Sequence, residues 1–153
     1  MLEVSELTHR YGEETAIGNV SFDIEEGELL AVLGPSGCGK TTIVRAIAGH
    51  LQPTAGTVFL RGEDVTDMPP ETRRVSVVFQ RSTLFPHMTV GENVAYGLKV
   101  RGIDSDRRDN LVSEYLELVS LSGQRRAYPS ELSGGQRRRV ELARALAPQP
   151  DVL

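Results

Sequence analysis

One stretch constrains this chain more than any other: "GPSGCGKTT", residues 34–42. It contains Gly34, four intervening residues, then Gly39-Lys40-Thr41. Glycines at 34, 37 and 39 let the backbone curl until successive N–H groups face a common point, which makes a nest for an anion. Upstream, "ELLAVLG" is a nearly continuous apolar run, as a strand buried on both faces requires. Downstream, "KTTIVRAIAGHL" has the length of a helix and ends near Gly49. A helix that opens at Lys40 adds the positive end of its dipole to the nest. Glycine makes up about 7% of average sequences, so this spacing should arise by chance in well under one such chain in a hundred. Flanked by a strand and a helix, it reads as a phosphate-binding loop. Lys40 offers a mobile charge to the β- and γ-phosphates, Thr41 a hydroxyl to Mg²⁺, and Pro35, Ser36, Cys38 and Thr42 complete the cradle. Cys38 is open to two readings, a reactive thiol beside a helix start or a small filler of the loop, and the filler is preferred.

The rest of the chain surrounds this loop with two kinds of structure. "NVSFDIEEG" alternates, with Val20, Phe22 and Ile24 on one face and Asn19, Ser21, Asp23 and Glu25 on the other. This predicts a half-solvated strand ending in a turn at Glu26-Gly27, with "LEVSEL" as its partner. "AGTVFLRG" reads as a short strand, and "RVSVVFQ" as a second strand buried on both faces. After Gln80 the period becomes helical. "TVGENVAYGL" opens with a capping box from Thr89 to Glu92. "DSDRRDNLVSEYLELVSLSG" puts Leu111, Tyr115, Leu118 and Val119 on one stripe, with Asp104 or Ser105 as cap and Gly123 as stop. "AYPSELSGG" is a loop, "QRRRVELARALA" is helix up to Pro148, and "PDVL" opens another apolar strand. The expectation is a single α/β domain over residues 1–153, with an N-terminal antiparallel β region and a helical subdomain inserted at 88–132.

Composition excludes several classes. A net charge of −4 exerts no general pull on nucleic acid or on an anionic membrane. The one cysteine cannot form an internal disulfide. The apolar run Leu29–Leu33 is far shorter than the roughly 20 residues that span a bilayer. "MLEVSELTHR" lacks the apolar core of a signal peptide. "RRR" at 137–139 hints at nucleic acid, but residues on a helix splay by about 100° each. Glu141 and the acidic insert offset the charge, and no nucleic-acid partner is expected. His87 lacks metal-site spacing around it.

A phosphate loop alone leaves several nucleotide-using classes open. The Asn-Lys-x-Asp motif by which GTPases read the base is absent, whereas a small-molecule kinase is not excluded by sequence. The stretch "ELSGGQRRRVELARA" at 131–145 adds the deciding element. Ser133 and Gln136 form a capping box, yet Gly134 and Gly135 each cost up to about 1 kcal/mol in a helix relative to alanine. Glycine is kept where something must approach the backbone closely.

"LSGGQ" at 132–136, together with "GPSGCGKTT" at 34–42, resembles the ATP-binding subunits of ABC transporters, and the order of parts matches along essentially the whole chain. The resemblance implies a P-loop NTPase core, with Tyr11 stacking on adenine and residues 34–42 holding ATP. It implies that Lys40 acts in catalysis, and Gln80 with it through Mg²⁺ or the attacking water. It also implies that Ser133, Gly134, Gly135 and Gln136 reach the γ-phosphate held by a second subunit in a head-to-tail dimer. "RSTLFPHMTVGENV", within residues 81–94, is similar to the surface that receives a transmembrane permease. Leu84, Phe85 and Met88 are then its apolar anchors, or else they close the local core. Such subunits sit in the cytoplasm against the inner face of the membrane. In this family a run of four apolar residues and an Asp-Glu pair follow "PDVL", and a histidine comes later. None lies within residues 1–153; Asp151, Asp64 and Asp67 do not match those positions, so these residues alone are expected to hydrolyse ATP slowly. The wording of 73–98 is most like importers of iron, polyamines, sugars or inorganic anions. The competing reading is a soluble ABC-type ATPase acting on nucleic acid or ribosomes.

Overall fold

The computed structural model describes all residues from Met1 to Leu153. They form two compact units: Met1–Val75 with Val152, and Ser76–Asp151 with Leu153.

The first unit is built on the alternating strands. β1 (Leu2–Tyr11) pairs antiparallel with β2 (Glu14–Ile24) through a hairpin at Gly12. The register sets Leu2 opposite Ile24, Val4 opposite Phe22 and Leu7 opposite Val20, which keeps the apolar residues of both strands in step. It slips between Val4 and Leu7, where Glu6 adopts φ of 50°, and again between Leu7 and His9, where Asn19 across the ladder adopts φ of 53°. Side-chain hydroxyls take over the displaced backbone donors. Glu6 N–H donates to Ser21 Oγ at 2.8 Å and Asn19 N–H to Thr8 Oγ1 at 2.9 Å.

β3 (Ala55–Leu60) lies on the other side of β1, and β4 (Glu63–Asp64) closes the sheet in the order β2-β1-β3-β4. One helix, α1 (Lys40–Ile47), contributes Ile43, Ala46 and Ile47 to a core with Leu2, Val4, Leu7, Ile17, Val58, Leu60 and Val65. Each large aliphatic side chain buried there is worth about 1.5–3 kcal/mol.

Two expected strands do not form. Residues 29–33 and 76–80 carry no strand pairing, and Leu29 and Leu33 stand 91% and 89% exposed. A strand buried on both faces needs hydrogen-bonding neighbours on both edges. Within these residues the only pairing of that kind is a parallel bridge from Val75 to Val152, with Val152 N–H donating to Arg74 O at 3.3 Å. The α/β class stands, but the sheet present is the antiparallel one.

The second unit is helical. α2 (Val90–Val100) starts with the expected capping box: Thr89 Oγ1 accepts from Glu92 N–H, and the Glu92 carboxylate accepts from Thr89 N–H. α3 (Ser105–Leu118) is capped by Asp104. Its buried stripe is Val112 and Leu116, flanked by half-buried Leu111, Tyr115 and Val119, whereas Leu118 is 66% exposed. Nor is Gly123 the stop. Ser120 takes φ 58°, with Ser120 N–H bonded to Glu117 O and Leu121 N–H to Leu116 O, a left-handed C-terminal cap made without glycine. α4 (Gly134–Leu146) adds Val140 and Ala143 to the same core, which also holds Leu84, Val90, Val94 and Leu98.

Candidate functional site

The phosphate loop leads into α1, and its glycines have separate reasons to be glycine. Gly39 is the N-cap of α1 at φ 91°, and a Cβ there would fall 2.4 Å from Ile17 Cγ2 and 2.5 Å from Ala16 O. Backbone conformation and the close approach of β2 therefore both exclude a side chain. Gly37 has open space around it but φ 83°. Cys38 is exposed, and its sulfur lies across Gly34, 2.6 Å from where a Cβ would be. Its N–H closes a turn on Pro35 O at 3.4 Å.

Lys40 folds back over the loop. Its ammonium donates to Gly34 O at 2.8 Å, to Pro35 O at 2.7 Å and to Cys38 Sγ at 3.4 Å. Two donors meet carbonyls and the third meets a soft sulfur, a weak acceptor that an anionic oxygen readily replaces. No side chain caps α1, so its first N–H groups are available to an anion. Thr41 lies exposed on that first turn and Thr42 is buried. These residues fit a Mg²⁺-bound polyphosphate. Tyr11 ends β1, 52% exposed, with its ring set edge-on to His9, centroids 4.6 Å apart.

The far end of α1 is held by a residue that sequence reasoning missed. Arg73, 2% exposed, donates to Ala46 O and Ile47 O (2.8 Å each), Thr66 O (2.7 Å) and Met68 O (2.9 Å). Two of those carbonyls belong to the last turn of α1, where a cation also meets the negative end of the dipole. Burial pushes the guanidinium below its ordinary value, and Asp67 and Asp64 work against that shift. The only available signal was a pair of arginines, Arg73-Arg74, before an apolar run, which looks like any surface charge.

In the second unit, Gln80 is exposed at a bend outside helix and strand. Leu84 is 8% exposed and part of the helical core, so it closes that core and is not a free docking anchor. Phe85 is half-buried between the Tyr96 ring, 4.7 Å away, and the Arg144 guanidinium, 5.5 Å from its centroid. Met88 lines an open groove of about 670 Å³ with Ala95, Tyr96 and Val100, rimmed by Lys99 and Arg125. His87 is exposed.

Arginines 137, 138 and 139 go to three different places. Arg137 donates to Leu132 O, Arg138 to Phe79 O, and Arg139 to Val119 O. Buried Glu141 accepts from Thr83 N–H, an arrangement the sequence reading also missed. Its one visible trace was the spacing of Arg138, Glu141 and Arg144 by three along one helix.

Ser133 caps α4. Its hydroxyl accepts from Gln136 N–H at 3.2 Å, and its own N–H donates to Gln136 Oε1 at 2.8 Å. Gly134 and Gly135 are exposed, neither has a positive φ, and a Cβ on Gly135 would meet nothing within 4 Å. On Gly134 the nearest atom is Arg137 Nη2 at 4.0 Å. This chain's own fold thus gives neither glycine a reason to be one.

Residues 17–153 match the ABC transporter family. Over 152 residues the chain is 46% identical to the Fe(3+) ions import ATP-binding protein FbpC of Pasteurella multocida, covering 99% of this chain and 44% of that protein. It is 50% identical to the spermidine/putrescine import ATP-binding protein PotA of Roseobacter denitrificans, at 99% and 42% coverage. Against PotA of Thermobifida fusca the figures are 49%, 99% and 40%. The chain thus spans less than half the length of these relatives.

Proposed function

The chain belongs to the ABC transporter family, and from that premise we propose that it is the ATP-binding, ATP-hydrolysing part of a subunit that energises an importer. The cargo class is iron, polyamine, sugar or inorganic anion, in keeping with relatives named for iron and for spermidine/putrescine import.

One observation carries the mechanism. Gly134 and Gly135 present bare backbone at a helix start with no internal cause, as a surface reserved for an incoming ligand does. In the proposal, residues 34–42 of one copy hold the triphosphate from one side. Ser133 to Gln136 of a second, head-to-tail copy close on the γ-phosphate from the other. Lys40 neutralises charge that develops between the β- and γ-phosphates, Tyr11 stacks on the base, and Gln80 orients the water and the metal shell. Mg²⁺, held by Thr41 and Gln80, supplies further charge neutralisation on the phosphate oxygens when bound.

The permease docks on the 81–94 region, with Phe85, Met88 and the adjoining groove offered to it in place of Leu84. No helix is long and apolar enough to cross a membrane; in this reading the subunit works from the cytoplasmic side, attached through the permease.

The test is complementation in the full-length subunit. Lys40→Ala and Ser133→Arg each abolish ATP hydrolysis alone. Mixed head-to-tail dimers carry one site free of both defects, so mixing the two variants restores a measurable fraction of turnover. If both residues serve the nucleotide of their own chain, mixing restores nothing and the shared-site reading falls.

A further inference from the structure

Segment Phe79–Phe85 runs through the second unit without helix or strand, so its backbone polar groups must find partners elsewhere. Three side chains of α4, spaced by three and therefore on one face, provide them. Glu141 is 4% exposed, and its Oε1 accepts from Thr83 N–H at 2.8 Å. Its Oε2 accepts from Arg138 Nη1 at 3.2 Å, and the same Arg138 donates to Phe79 O. Arg144 donates to Thr83 O at 2.8 Å and to Thr83 Oγ1 at 2.5 Å, while its guanidinium stacks over the Phe85 ring. A buried carboxylate is tolerated only when it is paired and hydrogen-bonded, and here the pairing reaches out of the helix to a separate segment. The other end of the segment is tied down as well. Buried Asn93 on α2 accepts from Phe85 N–H at 2.8 Å and donates to Phe85 O at 3.1 Å.

We propose that Glu141, flanked by Arg138 and Arg144, is a positioning residue that latches Phe79–Phe85 to α4, so that Gln80 and Ser133–Gln136 shift as one body. Its functional meaning rests on the reading of those residues as nucleotide contacts given above. The latch lets a displacement of the permease-facing segment be felt at the start of the signature helix, and the reverse.

Hydrogen exchange on the full-length subunit tests it in two arms. Without ligand, the Thr83 amide exchanges as slowly as the α4 amides in the wild type. Glu141→Ala speeds it by about tenfold to a hundredfold, while the Ala143–Ala147 amides keep their protection. Glu141→Gln, which keeps an acceptor, recovers most of the slowing. A Thr83 amide that exchanges like an open loop in the wild type, or unchanged in Glu141→Ala, overturns the latch. In the second arm ATP is added. Wild type responds at both 82–85, beyond the direct reach of the nucleotide, and 133–137; Glu141→Ala binds ATP with unchanged affinity and responds only at 133–137. A response at both segments in the variant, or a loss of affinity that merely tracks a loss of melting temperature, overturns the coupling. Should Glu141→Ala fail to fold, Arg138→Ala, on a side chain 47% exposed, carries the second arm, and the wild-type exchange of the Thr83 amide decides the first. A wild type that fails to bind ATP defeats the proposed function, and the first arm still decides the latch.

Discussion

Gly135→Ala should make this protein more stable and less active. Gly135 sits in the first turn of α4 with no positive φ, and an added Cβ meets no atom within 4 Å. The substitution therefore brings no clash and no backbone strain. Alanine is favoured over glycine in a helix by about 0.5–1 kcal/mol, and at a first-turn position the gain lies toward the lower figure. For a domain of this size 1 kcal/mol moves the melting temperature by about 2–4 °C, so a rise of about 1–3 °C is expected. Activity should move the opposite way. A methyl group at 135 keeps a phosphate oxygen from reaching the N–H groups of the first turn, and loss of one preorganised backbone donor typically costs about a hundredfold in turnover. Thermal melting and steady-state ATP hydrolysis of the full-length variant measure the two halves. A lower melting temperature would mean that the glycine serves its own fold, and unchanged hydrolysis would mean that nothing approaches the backbone there. Either result refutes the reasoning.

Arg73→Met should destabilise the protein by about 3–5 kcal/mol in urea unfolding. Buried carbonyls left without a donor cost about 1–3 kcal/mol each, and relaxation recovers part of that. A loss under about 1 kcal/mol would show that water replaces the guanidinium at the end of α1. Acidification should also destabilise. Burial raises the Glu141 carboxyl, but hydrogen bonds from Ser82, the Thr83 N–H and Arg138 outweigh it and leave the group below its ordinary value. The Thr66 hydroxyl and N–H lower Asp64, and the Thr89 N–H and hydroxyl lower Glu92. Groups depressed in the folded state contribute stability that is fully present above the ordinary carboxylate value of about 4 and is lost as pH falls through their lower folded values. Denaturation midpoints should hold level from about pH 7 to 5 and decline below about 4. A midpoint that rises on acidification contradicts these directions.

What the sequence made legible was local. Residues 34–42, the Thr89–Glu92 and Ser133–Gln136 caps and the alternation of β2 each depend on neighbours a few positions away, and all appear where the pattern placed them. What it concealed was decided at long range. The apolar residues of α3 form a stripe wider than the surface it buries, and the packing of α2 and α4 selects Val112 and Leu116 over Leu118. The stop of α3 falls on Ser120 because the hydrogen bonds of the cap outweigh the strain of a positive φ on serine. Apolar runs at 29–33 and 76–80 have strand composition, but composition does not supply a partner edge. Arg73 and Glu141 read as surface charges because nothing nearby in sequence announces that a carbonyl or an N–H from elsewhere will meet them. Leu84 reads equally well as an anchor or as core until Val90, Val94 and Val140 are seen around it.

The rung between Val75 and Val152 has one more consequence. The polypeptide from Ser76 to Asp151 departs from and returns to a single spot, so it is a detour whose two ends are already clasped. Entropy charges such a detour only logarithmically for its length, about 0.6 kcal/mol per doubling. Evolution or an engineer can extend, trim or graft that excursion while the path of β1, β2 and α1 stays as it is. Change in that excursion can thus proceed without rebuilding the strands and helix of the first unit.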